Sequence, residues 1–135
     1  MSDSTRKSDS HYAIGKKNPN LPFHPAVRAG DYIFVSGQVS KDADGNMMCG
    51  SIEVETEGTI RAIERILAEE GATLADVCRV VTYLDDPRDF GRYNKVFGQL
   101  FDGAVLSRTT IEARAVITTK IEMDAIAYKP LADKG

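Results

Sequence analysis

An α+β domain, with a mixed β-sheet covered by two helices on one face, is the fold class this sequence predicts. Its 135 residues suit a single domain. The apolar period switches repeatedly between two and about 3.6 residues, and the segments run strand, strand, helix, strand, helix, strand, strand. No internal repeat or linker divides them.

Residues 1–10 are polar throughout and are expected as a flexible tail; 11–130 form the domain, and 131–135 a short C-terminal tail. A short ordered stretch at 11–14 precedes a loop whose Asn18, Pro19, Asn20, Pro22 and Pro25 interrupt regular pairing. Residues 31–39 form a strand, with Ile33, Val35, Gly37 and Val39 alternating with Tyr32, Phe34, Ser36 and Gln38. Gly37 gives up side-chain packing there, which points to a bulge or to a group approaching the backbone closely. Asp44-Gly45 suits a tight turn.

Helical spacing covers 52–70, with Ile60, Ile63, Ile66 and Leu67 as the apolar stripe and Val54 on an earlier turn. Ser51 suits the cap, Glu53 and Glu55 the positive helix end, and Gly71 the stop. Gly58 costs roughly 1 kcal/mol against alanine in mid-helix, and the sequence offers no reason for it. A strand at 77–84 leads to Asp85-Asp86-Pro87, an opening for a second helix whose apolar face is Phe90, Tyr93, Phe97, Leu100 and Phe101. Strands over 108–117 and 121–128, joined by residues 118–120, close the chain.

Composition narrows the function classes. Hydrophobic content of 42% and charged content of 27% are those of an ordinary globular chain, which argues against disorder. With net charge −3 and no Lys/Arg block, a nucleic-acid backbone is not the expected partner. No apolar run approaches the ~20 residues a membrane helix requires. Cys49 and Cys78 stand in unrelated contexts without C-x-x-C, and His11 and His24 are not at ligand spacing, so no metal is expected. A reduced, cytoplasmic protein is the simplest expectation.

Alternation along the last two strands puts Thr109, Ile111, Ala113, Ala115 and Ile117 on the core face, and Arg108, Thr110, Glu112, Arg114 and Val116 on the other. In the final strand Ile121, Met123, Ala125 and Ala127 face the core, whereas Glu122, Asp124, Ile126 and Tyr128 face outward. The second face then mixes charges with Val81, Val116, Ile126 and tyrosines. Either a solvated antiparallel sheet or an oligomer interface fits that mixture. Arg108 offers a permanently charged planar fork suited to a carboxylate. By residue type alone, an arginine near Glu122 is a structural ion pair.

The run Val27-Arg28-Ala29-Gly30-Asp31-Tyr32-Ile33-Phe34-Val35-Ser36-Gly37-Gln38 resembles the opening signature of the Rid family, also called YjgF or L-PSP. Asp89-Phe90 with Asn94 and Phe97 resembles its second-helix motif, Ser107-Arg108-Thr109-Thr110 its Pro-Ala-Arg segment, and Ile121-Glu122-Met123-Asp124-Ala125-Ile126-Ala127 its ending. The resemblance implies a chorismate-mutase-like fold and a homotrimer with ligand clefts between subunits. It also implies cofactor-free hydrolysis of reactive enamine or imine carboxylates, such as 2-aminoacrylate and its tautomer 2-iminopropionate, to 2-keto acids and ammonia. Arg108 then matches the residue that binds the substrate carboxylate, and Glu122 the residue associated with the attacking water. Thr110, Gly37, Phe23 and Asn94 match positions around the substrate.

Phe23 stands where the family has tyrosine, and His24-Pro25 replace small and amide residues. Leu106-Ser107 replace Pro-Ala, and Thr110 stands where well-known members carry cysteine. These departures bear on substrate range and keep two alternatives open: a pathway-specific enamine deaminase of the 2-aminomuconate type, and a non-catalytic ligand-binding or regulatory trimer. A ribonuclease reading, also described for the family, finds little support in two isolated histidines and a negative net charge. His24 beside Pro25 suits a loop residue better than a base.

Overall fold

Alternating extended runs and two amphipathic helices build residues 5–132, which the computed structural model describes. The strands are β1 (Arg6–Ser8), β2 (His11–Ile14), β3 (Ala26–Ala29), β4 (Tyr32–Gln38), β5 (Val77–Leu84), β6 (Ser107–Glu112) and β7 (Ile121–Tyr128). The helices are α1 (Ile52–Ala68) and α2 (Phe90–Leu100). Among the described residues the strands form one sheet in the order β1-β2-β3-β4-β7-β5-β6. Only β5 and β6 pair in parallel; α2 is the crossover between them, so the sheet is mixed as expected.

β1 lies inside the stretch that composition marks as a tail. Its three exposed polar residues pair with β2, and the Arg6 guanidinium sits 4.5 Å from the Tyr12 ring centroid. Backbone pairing needs no apolar side chain, so composition gave no sign of this strand. The outer parts of both expected tails, residues 1–4 and 133–135, lie outside the described residues.

A largely buried ion pair fastens the sheet to the turn that follows α1. Arg28 on β3 is only 2% exposed and donates to Glu70 Oε1 at 3.1 Å, while the Tyr12 hydroxyl donates to the same oxygen at 2.5 Å. The carbonyl of Lys129 accepts another Arg28 proton.

The Ser51 side chain accepts from the Val54 N–H at the start of α1, and Gly71, at φ +69°, turns the chain after its end. Ile52, Thr56, Ile60, Ile63 and Leu67 form the buried stripe. Val54, expected on it, is 44% exposed. Two residues on from Ile52 it has rotated away from the sheet. Gly58 now has a reason: a Cβ there would lie 1.9 Å from Ser40 Oγ.

At the second helix Asp86 accepts from the Arg88 N–H, and Pro87–Asp89 form one 3₁₀ turn before α2 begins. Tyr93, Phe97 and Phe101 enter the core, but Phe90, assigned to the same face, is 44% exposed.

The largest departure concerns the last two strands. The strand expected over 108–117 ends at Glu112, with an Ala113 N–H to Leu84 carbonyl bond just beyond it. Past Leu84 the neighbouring strand turns away toward Pro87, leaving 114–117 no edge on which to pair. Nor do β6 and β7 meet, because β5 lies between them. The face assignment for β6 is also reversed. Arg108 and Thr110 are in register with Val80 and Thr82, both fully buried under the helices, while Ile111 is exposed. For β7 the assignment is correct: Ile121, Met123, Ala125 and Ala127 are buried and Glu122 faces outward.

Candidate functional site

The candidate site residues fall into two groups, on opposite faces of the sheet. The first surrounds Glu122. Between Val35 and Gln38 the pairing of β4 with β7 slips, which makes the bulge that the glycine suggested. A Cβ on Gly37 would lie 2.3 Å from Glu122 Oε2, so the missing side chain is what admits the carboxylate. Gly37, Ser36, Phe23, Leu21 and Ile117 line a cleft of about 400 Å³ with Glu122. His24 is a loop residue whose carbonyl accepts from Ser36 Oγ at 2.7 Å, fixing the segment that presents Phe23.

Burial pushes the Glu122 carboxyl above its usual pKa, and the like charge of Asp124 adds to the effect. Asp124 is itself held by the Tyr83 hydroxyl, which donates to it at 3.0 Å. A carboxyl so placed exchanges protons more readily near neutral pH than an ordinary surface glutamate.

The second group surrounds Arg108. Its Nη2 donates to Asn94 Oδ1 at 2.7 Å, one helix face away. The guanidinium carbon lies 4.7 Å from the Phe97 ring centroid, 4.8 Å from Tyr93 and 5.7 Å from Phe90. Among the described residues no carboxylate lies within ion-pair distance of Arg108, so the structural pairing with Glu122 that residue type favoured does not occur. Thr110, two residues on along the same face, meets the Tyr93 hydroxyl at 2.9 Å, and that hydroxyl donates to Thr82 Oγ1 at 2.7 Å. Thr110 and Phe90 also line a hollow of about 140 Å³ with Leu84, Pro87, Ile111 and Glu112.

Arg108, Thr110 and Asn94 therefore come together, as do Glu122, Gly37 and Phe23. The two sets do not meet within one chain: the former face α2, the latter point away from it, and β5 runs between their strands. The aromatic wall around Arg108 escaped the sequence pattern because Tyr93 and Phe97 have helical core spacing. The one signal that could have found it is the hydroxyl on Tyr93, which a buried site must satisfy.

Glu55 also escaped notice. Although it sits in the first turn of α1, it is 3% exposed and accepts from the backbone N–H groups of Gly50 and Lys120 at 3.1 and 3.0 Å, with the Lys120 ammonium at 3.4 Å. It ties the start of α1 to the segment just before β7, next to the cleft. A larger hollow of about 800 Å³ lies at Arg28 and Glu70, whose charges already satisfy each other. Among the described residues no group of three His, Cys, Asp or Glu side chains is arranged to hold a metal ion, and no helix is long and apolar enough to cross a membrane.

A family model described as endoribonuclease L-PSP matches residues 15–129, a span that contains all four sequence motifs. The chain belongs to the L-PSP family. A RutC family protein of Pyrococcus abyssi is 39% identical over 113 residues, 82% of this chain and 89% of its own. Among solved structures, a YjgF family member from Neisseria meningitidis is 28% identical with a TM-score of 0.74, covering 88% of this chain and 95% of its own. Yeast Mmf1, at 23% identity, shares the fold with a TM-score of 0.81 over 88% of this chain and 98% of its own. The L-PSP membership and the α+β fold expected from the motifs are thus both established.

Proposed function

We propose that this L-PSP protein hydrolyses small enamine or imine carboxylates, of the 2-aminoacrylate and 2-iminopropionate type, to 2-keto acids and ammonia. The observation that carries the reading is the state of Arg108: a half-buried, permanent cation with three ring faces and an amide around it and no carboxylate among the described residues. A cation desolvated to that degree and left without a counter-charge is suited to an anionic ligand.

Arg108 holds the substrate carboxylate, with Asn94 fixing the plane of the fork. Glu122, on a neighbouring copy, orients a water and takes its proton as the oxygen bonds to the imine carbon. Glu122 returns that proton to the nitrogen; the carbon–nitrogen bond then breaks, ammonia leaves, and the new hydroxyl gives up its proton to the Glu122 carboxylate as its carbon becomes the keto carbon. An iminium is already electrophilic, so the nucleophile needs no strong activation. The placement of Arg108 and Glu122 on opposite faces supports a cleft shared between copies in a homotrimer, each copy supplying one half. Exposed Tyr32, Phe34 and Tyr128, with the Tyr32 ring centroid 5.3 Å from that of Tyr128 and 6.4 Å from that of Phe34, offer an apolar surface for that contact.

In a coupled assay that generates 2-aminoacrylate in place, the wild-type protein is expected to accelerate keto-acid formation and Arg108→Ala to abolish the effect. Equal rates with and without wild-type protein would overturn the reading in favour of a non-catalytic ligand-binding trimer. The apolar lining of the Glu122 cleft, Leu21 and Phe23 above all, supports a second reading, a deaminase for larger enamine acids of the 2-aminomuconate type. Comparing rates on small and dicarboxylic enamines separates the two.

A further inference from the structure

Three hydroxyls, of Thr82, Tyr93 and Thr110, form a line that ends on β6 at Thr110, two residues from Arg108. A phenol has one proton to give. Geometry directs that proton to Thr82 Oγ1 at 2.7 Å, in a position where Thr82 and Tyr93 are both fully buried. The contact of 2.9 Å between Tyr93 and Thr110 can then be a hydrogen bond only if Thr110 donates. Its own proton is committed to the interior, so Thr110 turns lone pairs toward the small hollow it shares with Phe90.

Phe90, 44% exposed, is the wall that the two groups share. The Arg108 guanidinium lies 5.7 Å from its ring centroid and Thr110 lines the hollow beside it, so a ligand whose carboxylate rests on Arg108 extends along the Phe90 ring toward Thr110.

We infer that Thr110, its polarity set by Tyr93 and Thr82, is a specificity-determining residue that accepts a hydrogen bond from an N–H or O–H next to the ligand carboxylate. It favours 2-imino and 2-hydroxy acids over 2-keto acids. The inference rests on the assignment of Arg108 as carboxylate anchor and deepens it. The protonated imine offers an N–H to Thr110, whereas the keto oxygen of the product sets lone pair against lone pair. The same residue thereby holds substrate and discourages product. Tyr93 is a positioning residue here, since it acts only through Thr110.

The test measures binding of two probes, lactate and pyruvate, to the full chain by calorimetry. Both carry a carboxylate and they differ at C2, where lactate alone has a proton to donate. Wild-type protein is expected to prefer lactate on the order of tenfold, the value of one hydrogen bond exchanged for a repulsion. Tyr93→Phe releases the Thr110 proton, so Thr110 can donate to the keto oxygen, and the preference is expected to shrink to about threefold or less. Thr110→Val, which removes the hydroxyl without touching Tyr93, is expected to erase it as well. Binding that depends on Arg108 but shows one lactate-to-pyruvate ratio in all three proteins overturns the polarity of Thr110 alone. Binding unaffected by Arg108→Ala overturns the carboxylate assignment beneath it.

Discussion

A guanidinium drawn half out of water loses hydration that a neighbouring carboxylate usually restores. Around Arg108 that compensation comes from three aromatic faces and the Asn94 amide oxygen instead. Geometry of the fork therefore matters as much as charge. Arg108→Lys, which keeps the charge but loses the planar donors and the ring stacking, is expected to lower kcat/KM for imine hydrolysis by roughly one to two orders of magnitude. Glu122 gives a prediction with a sign. In the proposed mechanism its working form is the anion, and burial and then the Asp124 charge raise its pKa, so activity is expected to rise with pH through a value above that of an ordinary glutamate. Asp124→Asn removes the like charge and should move the acid limb of the pH–rate profile to lower pH. At Gly37, a methyl group would meet the end of the flexible Glu122 side chain. Gly37→Ala should therefore reduce turnover while leaving the thermal midpoint almost unchanged.

Elements built from strict alternation were legible from residues alone: β4, β5 and β7 fall where their patterns put them, and α1 has its serine cap and glycine stop. Two kinds of information were not local. Alternation shows which residues of β6 share a face, but Arg108 and Thr110 lie under α2 because Asn94 and Tyr93 satisfy them there, a fact set by the helix. The end of β6 likewise depends on where β5 stops, and Pro87 lies far away in sequence. Of the site, the four motifs gave the residues, but not their division between two sheet faces. Glu55 belongs to the same lesson, since first-turn charge suggested a helix-end role and concealed its burial. Burial alone would raise its pKa; the N–H groups of Lys120 and Gly50 and the Lys120 charge outweigh that and hold it below the usual value. A depressed carboxyl stabilises the fold fully above its unfolded pKa, and that stability is lost as pH falls through the folded value. Glu55→Gln should cost about 1.5–3 kcal/mol at neutral pH by denaturant titration and flatten the acid limb of the stability profile. Gly58→Ala, a helix-favouring change in isolation, should destabilise by roughly 1–3 kcal/mol because Ser40 occupies the space.

At the scale of the whole molecule, a site divided between copies has a signature that no single-chain site shares. Arg108→Ala and Glu122→Gln each remove a different half and should each be inactive alone. Unfolded together and refolded as a mixture, they should regain about a quarter of wild-type activity, the share of interfaces in a randomly mixed ring that join two intact halves. No recovery, with mixed assembly verified by mass, would place the whole reaction within one chain and overturn the shared cleft.

The edge-to-face pair of Tyr32 and Tyr128 has a further use. The chain has five tyrosines and no tryptophan, so its near-ultraviolet absorption and emission come chiefly from phenols. Two of these stand together on the outer sheet surface. A copy that covers them replaces water with apolar side chains and fixes the angle between the rings. If copies assemble over this surface as proposed, the protein carries its own optical gauge of that association: diluting it while following tyrosine emission and near-ultraviolet circular dichroism would record assembly without a label.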